Sequence, residues 1–306
     1  MPPAGQRGGA LPPNLVGAFW ILVSAVTFTA MMTLVKFLGT NYPAAVQSTY
    51  RQMAILVVML PYIVREGRRG LSTPRPCLLI ATMAMSTAGL VLSLYSYQAL
   101  PFAEANALSF SRTLWLVPLA AVILREQITK VRAGAALAGF AGVVVMLNPM
   151  EGGLHPGWGQ IAAIGAALMA ALVIVCMKTL MRDHKLGTVM AWGATVGFGF
   201  SLVPALFVWT WPTPVDLGLL AAMGLLGVAT QASYVKGVSI GEAAAIVPVD
   251  YTRLLMAAGL GWVLFGERPA VATLAGGAIV IAATVILSWH ELRAYRAAGA
   301  VMVSAD

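Results

Sequence analysis

Apolar stretches of about twenty residues recur along the whole chain, separated only by short polar breaks, and this recurrence dictates what the chain can fold into. A helix that crosses a bilayer needs roughly 20 predominantly apolar residues. Ten segments qualify: 14–38, 44–64, 76–97, 101–124, 131–149, 158–181, 187–210, 215–236, 242–265 and 270–290. The breaks carry turn chemistry, among them Asn41-Tyr42-Pro43, Trp211-Pro212-Thr213-Pro214 and Gly266 to Pro269. Within the segments Ala, Leu and Gly run continuously instead of alternating with polar residues, which excludes a β-barrel. Helices remain, because in lipid each backbone amide must be satisfied within its own segment. Only 10% of the residues are charged, against about 25% in an ordinary soluble domain. The expected fold is an all-α integral membrane protein with ten transmembrane helices.

Lys and Arg set the orientation, since they concentrate on the cytoplasmic side. With the N-terminus inside and the spans alternating, the inner side holds Arg7, then Arg65, Arg68, Arg69 and Arg75, then Arg125, Lys130 and Arg132. It continues with Lys178, Arg182, Lys185 and Lys236, and ends on Arg293 and Arg296, so that 14 of the 19 basic residues lie inside. Outer loops hold only Arg268, while Lys36, Arg51, Arg112 and Arg253 lie within or at the edges of spans. The net charge of +8 is thereby explained by topology, and no nucleic-acid partner is expected. The expectation is a multi-pass protein of the plasma (bacterial inner) membrane, with short cytoplasmic tails at 1–13 and 291–306. The first apolar run, of about 24 residues, is too long for a signal-peptide core and reads as a retained span. Cys77 and Cys176 have neither disulfide nor zinc-site spacing.

Compared with itself at an offset near 141, the chain gives matches in order. Gly17 meets Gly159, Lys36 meets Lys178, Tyr50 meets Trp192, and Pro61 lies within one residue of Pro204. Tyr97 pairs with Tyr234, Glu104 with Glu242, Arg112 with Arg253 and Glu126 with Glu267. Two repeats follow, 14–149 and 158–290, with five spans each. Because five is odd, the second enters the membrane from the opposite side. Inverted repeats of this kind build secondary transporters with a substrate site near the midplane.

The sequence resembles the EamA-like ten-helix members of the drug/metabolite transporter superfamily. Tyr97 to Pro101, Ala103 to Ala107, the run Leu119 to Ile128 and Gly134 to Leu147 carry the likeness in the first half. Gly241 to Ala244, Asp250 to Arg253 and Gly261 to Glu267 carry it in the second. The resemblance implies a carrier whose midplane site is built from spans 1, 3, 4, 6, 8 and 9, with export slightly favoured. Where many members have a mid-span Pro, this chain has Trp115 and Met256, so the likeness gives no substrate class.

Ionisable groups at membrane depth are costly and therefore candidate functional groups. Arg112 and Arg253 lie near mid-bilayer; paired guanidiniums can clasp a carboxylate or phosphate in forked hydrogen bonds. The structural alternative is neutralisation of Arg253 by Asp250, three residues earlier on the same helix face. Glu104 and Glu242 open spans 4 and 9, where a carboxylate suits the helix dipole; capping and proton coupling are both open, and Asp250 is the deeper candidate proton carrier. Tyr97, Gln98 and Tyr234 are either interface anchors or the mouth of a pore. Trp20, Tyr50 and Trp192 form an aromatic wall or pack against lipid. Lys36 is expected to snorkel to an interface, and Glu267 to sit at the interface beside Arg268.

No metal-, phosphate- or nucleophile-bearing motif is present, and neither enzyme chemistry nor a cofactor is expected. The leading reading is a secondary transporter moving a small organic metabolite, such as an amino acid, a vitamin-like compound or a drug, by alternating access. The alternatives are an uptake permease of the same fold, a non-transporting membrane scaffold and an intramembrane enzyme. Expected partners are the small-molecule substrate, the lipid bilayer and, as an open expectation, a second copy in a homodimer.

Overall fold

The computed structural model describes residues 13–39, 41–70, 72–123, 130–147, 157–180, 183–184, 186–240 and 247–303. Within these all regular secondary structure is helical, with no strand among the described residues. The helices are α1 (Pro13–Leu38), α2 (Ala44–Gly70), α3 (Pro76–Ala99), α4 (Phe102–Ser109), α5 (Arg112–Ile123) and α6 (Lys130–Met146). They continue as α7 (Trp158–Leu180), α8 (Leu186–Phe207), α9 (Pro214–Ile240), α10 (Thr252–Phe265) and α11 (Val271–Val303), with a 3-10 helix at Val247–Tyr251 before α10. Glu242 lies outside the described residues, as do Arg125 and Glu126.

Among the described residues six stretches are long and apolar enough to cross a membrane: Leu15–Leu38, Pro76–Ala99, Phe102–Ile123, Trp158–Met177, Gly187–Phe207 and Pro214–Ile240. The expectation of ten rests on apolar runs that the structure divides differently. α2 is long enough, but Arg51 and its charged C-terminal turn dilute its hydropathy. The expected spans at 131–149 and 270–290 contain only shorter apolar stretches among the described residues, Ala133–Met146 and Val271–Ile286, and α10 has only 14 residues.

Local chemistry sets the helix ends. Pro76 occupies the first turn of α3, where its missing N–H is no loss. Leu100, which precedes Pro101, is pushed to an extended conformation and ends that helix. Thr213 caps α9: its Oγ1 accepts the Asp216 N–H at 3.2 Å, and its hydroxyl donates to the Asp216 carboxylate at 2.8 Å. Tyr42, in the α1–α2 turn, donates to the same carboxylate at 2.8 Å. α10 ends on Gly266 in the left-handed region at φ 65°. The Gly266 N–H bonds the Trp262 carbonyl and the Glu267 N–H the Gly261 carbonyl, an αL cap that sets where the Glu267 side chain starts.

The bundle is held by long helix pairs: α1 along α9, α3 along α7, α2 along α8 and α6 along α11. Hydrophobic attraction is weak between helices in lipid, so small residues and side-chain hydrogen bonds carry the contacts. α6 and α11 meet at Gly142 and Gly276, where a Cβ on Gly142 would lie 2.8 Å from the Gly276 carbonyl oxygen. In the α1–α9 seam, Ser24 donates to the Thr230 carbonyl and Thr230 donates to Thr27 Oγ1, both at 3.0 Å. The central core is apolar, with Met31, Leu94, Tyr97, Phe102, Met223 and Ala257 buried together.

Candidate substrate site

Between α4 and α5 the chain tightens. Phe110, Ser111, Thr113 and Leu114 each donate to the carbonyl three residues back, the 3-10 pattern, and regular α-helix resumes only from Arg112. The matching place in the second half is also a 3-10 turn, Val247–Tyr251, after which α10 begins and carries Arg253 in its first turn. The sequence around each break is the same in kind: Ser109-Phe110-Ser111-Arg112 against Asp250-Tyr251-Thr252-Arg253. The two aromatic rings meet edge to face with centroids 4.9 Å apart, joining the breaks to each other.

That contact brings the arginines to one carboxylate. Arg253 Nη2 lies 2.5 Å from Asp250 Oδ1, and Arg112 Nη2 lies 3.9 Å from Asp250 Oδ2. Asp250 and Arg253 are buried, whereas the Arg112 side chain is 37% exposed. The Arg253 guanidinium also lies over the Phe28 ring at 4.3 Å, a cation–π contact. Two guanidiniums and one carboxylate leave the cluster with one net positive charge. Both arginines line a cavity of about 110 Å³ with Phe28, Ser93, Ser96 and Ser109, closed by alanines of α4 and α7. Arg253 Nε, at the cavity, is buried and unpartnered, as are both amide atoms of Asn106, Ser111 Oγ and Trp115 Nε1 along α4, α5 and the turn between them.

A second polar cluster lies at the end of the bundle where α1, α4 and α10 converge. Lys36 Nζ is 2.5 Å from Glu267 Oε1 and donates to the Leu100 carbonyl at 2.5 Å. The other carboxylate oxygen accepts the Phe102 N–H at 2.7 Å, taking up one of the unpaired donors at the start of α4. The ammonium sits 5.4 Å from the Phe265 ring centroid.

The candidates read from the sequence separate accordingly. Arg112, Arg253 and Asp250 come together at the cavity. Tyr97 is buried behind its wall, edge-on to Phe28 at 6.1 Å and to Phe102 at 5.7 Å. Tyr234 is half-buried on α9. Gln98 is elsewhere, donating to the Tyr42 carbonyl at 3.2 Å and packing on Gly39, where it ties the α1–α2 turn to α3. Glu104 accepts from Gln160 Nε2 at 2.7 Å and links the first turns of α4 and α7. Trp20 is covered by the Lys236 ammonium at 3.9 Å. Tyr50 stacks on Trp209 at 5.8 Å, and Trp192 packs against the Leu79–Val189 cluster. None of these three aromatics lines the cavity. Lys36 does not snorkel, and Glu267 pairs with Lys36 across the bundle.

Phe28, Ser93, Ser96 and Ser109, which line the cavity, do not stand out in the sequence, because neutral residues inside an apolar run read as packing. The doublet of aromatic, hydroxyl and Arg at 110–112 and 251–253 is the signal that could find them. Among the described residues no group of three His, Cys, Asp or Glu side chains is placed to hold a metal.

The profile of the EamA-like transporter family matches this chain twice, over residues 15–148 and 157–289. An S-adenosylmethionine uptake transporter of Rickettsia prowazekii is 29% identical over 282 residues, covering 92% of this chain and 95% of that protein. A riboflavin transporter of Rhizobium johnstonii is 24% identical, covering 95% and 97%. A pseudopaline exporter, CntI, of Pseudomonas aeruginosa is 24% identical, covering 89% and 95%. One crystal structure superposes with a TM-score of 0.61 at 18% identity, over 92% of this chain and 98% of that one, and shares the fold.

Proposed function

Since this chain belongs to the EamA-like transporter family and is a small-molecule transporter, not an enzyme, we propose that it is a secondary carrier for a small organic solute bearing a carboxylate or other anionic group. The observation that carries this reading is the pair of arginines, one from each half of the chain, around a single carboxylate at the cavity wall. The cluster has one positive charge left over, and Arg112 is held only at the outer limit of an ion pair. An incoming anion has a forked donor to meet and displaces little protein contact to do so.

Ten crossings in two inverted five-helix halves, with both termini inside, give the carrier its two states. Helix pairing supports this. Exchanging each helix of 14–149 for its counterpart in 158–290 turns the α1–α9 pair into the α7–α3 pair and leaves α2–α8 and α6–α11 unchanged. The 3-10 turns before Arg112 and Arg253 lie at matched positions of the two halves, and interruptions at matched positions are a feature of midplane substrate sites. A cavity of about 110 Å³ holds only a few waters at about 30 Å³ each. Any nucleoside-sized solute therefore enters after the halves rock apart. The Lys36–Glu267 clasp is the contact that has to break when its end of the bundle opens.

Glu104 is the remaining described candidate for proton coupling, since Asp250 is taken up as counter-ion to both arginines. The direction tested first is uptake. The relatives at 28–29% identity are named uptake transporters, and the preference for export taken from the family resemblance finds support only in more distant ones.

The test is counterflow in proteoliposomes with S-adenosylmethionine and its decarboxylated analogue, beside thermal stabilisation by a library of carboxylated metabolites and their methyl esters. Carboxylates are expected to exchange and to stabilise, and their neutral or cationic analogues to do neither. Equal behaviour of acids and esters throughout the library ends the reading of the arginines as an anion site.

A further inference from the structure

Three guanidiniums lie at membrane depth among the described residues, and the cluster at the cavity accounts for two. The third, Arg51, sits two turns into α2. Its Nε is buried without a hydrogen bond, and no ion pair or hydrogen bond is made to it by any described residue. The described carboxylates of the bundle are taken elsewhere. Asp250 serves Arg112 and Arg253, Glu267 serves Lys36, Asp216 accepts from Tyr42, and Glu104 accepts from Gln160.

The fold makes room for this cation. A Cβ on Gly227 of α9 would lie 2.9 Å from Arg51 Nε and 3.1 Å from the sulfur of Met31, so the glycine leaves the space that the guanidinium takes up in the seam of α1, α2 and α9. Positions 47, 48 and 51 share one face of α2, and two of its other polar groups are also unspent. Ser48 Oγ is fully buried with no partner. Gln47 donates through Nε2 to the Val35 and Tyr42 carbonyls at 3.1 Å each, while its Oε1 accepts nothing. Leaving a charge uncompensated at this depth costs stability, and in this seam none of the described residues repays it.

We infer that Arg51, with Ser48 beside it, is a second anion-receiving point that takes a carboxylate or phosphate not held by Arg112 and Arg253. This rests on the transport reading, and it assigns the carrier a solute with more than one anionic or strongly accepting group. Arg51 then belongs to the residues that select among solutes. Arg51→Gln removes the charge and keeps a polar side chain of similar reach.

The experiment compares wild type, Arg51→Gln and Arg112→Gln in phosphatidylcholine nanodiscs. Melting is followed in sodium phosphate, sodium citrate and sodium chloride at equal ionic strength. Without a binding anion, Arg51→Gln is expected to melt above wild type by roughly 3 °C, because an unpaired charge has been removed. Phosphate or citrate should raise the wild-type midpoint by mass action, and whichever of the two does so names the anion class. Arg51→Gln should lose at least half of that rise. A lower midpoint for Arg51→Gln in chloride overturns the inference, because it makes Arg51 a structural group. A full anion response in Arg51→Gln, lost only in Arg112→Gln, overturns it and leaves the transport reading standing. A response unchanged in both variants removes both. If phosphatidylglycerol in the disc raises the wild-type midpoint and abolishes the phosphate effect, a lipid headgroup occupies Arg51 and the solute assignment falls.

Discussion

The two charged clusters inside this bundle use the same kinds of residue and differ in how far the protein has spent them. At the Lys36–Glu267 clasp, the ammonium meets a carboxylate, a carbonyl and an aromatic ring, and the second carboxylate oxygen takes a helix N-terminal amide. At the Arg112–Asp250–Arg253 cluster, one guanidinium is held at 3.9 Å and more than a third exposed, and Arg253 Nε is unpaired. Asn106, Ser111 and Trp115 nearby add unmet polar atoms. A buried polar network that satisfies itself rigidifies a fold. One that stops short keeps bonding capacity for something that arrives later.

The comparison is broken or sharpened by variants ordered by their cost in stability. Asp250→Asn comes first. It keeps the shape and removes the counter-charge of a buried guanidinium, a change that costs about 3–5 kcal/mol. The midpoint should fall by roughly 10 °C in a thermal scan. A midpoint equal to wild type would show that Arg253 does not depend on Asp250.

Glu267→Gln follows. The amide keeps an acceptor for the Phe102 N–H and loses the pairing with Lys36, for about 1–3 kcal/mol. Its second readout is access: with Cys77 and Cys176 replaced, a cysteine at Ser109 should react several-fold faster with a water-soluble maleimide than in the parent. Unchanged labelling would make the clasp a packing contact and remove it from the opening movement. Gly266→Ala costs less, about 1 kcal/mol, because an L-residue is strained at φ 65°, although a Cβ there would meet nothing within 4 Å. Gly266→Asn should recover part of the loss in the same melting assay, since Asn tolerates that region better.

How much of the fold and the site is legible in the chain follows from what a sequence encodes. The arginines stand out because charge inside an apolar run has few explanations, and the Asp250–Arg253 contact follows from helical spacing alone. The break at 110–111 carries neither Pro nor Gly, and the one at Val247–Tyr251 carries only Pro248, so hydropathy runs through both. The expected aromatic wall of Trp20, Tyr50 and Trp192 comes from depth, and depth does not fix which way a helix is turned. Sequence pairs Glu267 with its neighbour Arg268, whereas its partner Lys36 is more than two hundred residues away; proximity in sequence stands in poorly for proximity in space. Arg51 reads as one more basic residue near a span edge, because only the packed bundle shows that no described residue answers it.

Arg112→Gln is the variant with the smallest expected stability cost and the largest expected functional one, which is why it decides the comparison. An arginine this exposed, at 3.9 Å from its carboxylate, behaves as a surface ion pair worth about 0–1 kcal/mol. Asp250 keeps Arg253 at 2.5 Å, so the buried charge stays compensated and the midpoint should stay within a few degrees of wild type. Uptake of a carboxylated solute loses its forked donor. At about 1.5–3 kcal/mol for a hydrogen bond to a charged group, exchange should fall roughly tenfold or more. Arg112→Lys should restore only part of it, because a point charge does not reproduce the planar fork. If Arg112→Gln transports normally, the unspent capacity of the cluster serves no solute. If it unfolds, Arg112 was holding the bundle together, and the two clusters are of one kind.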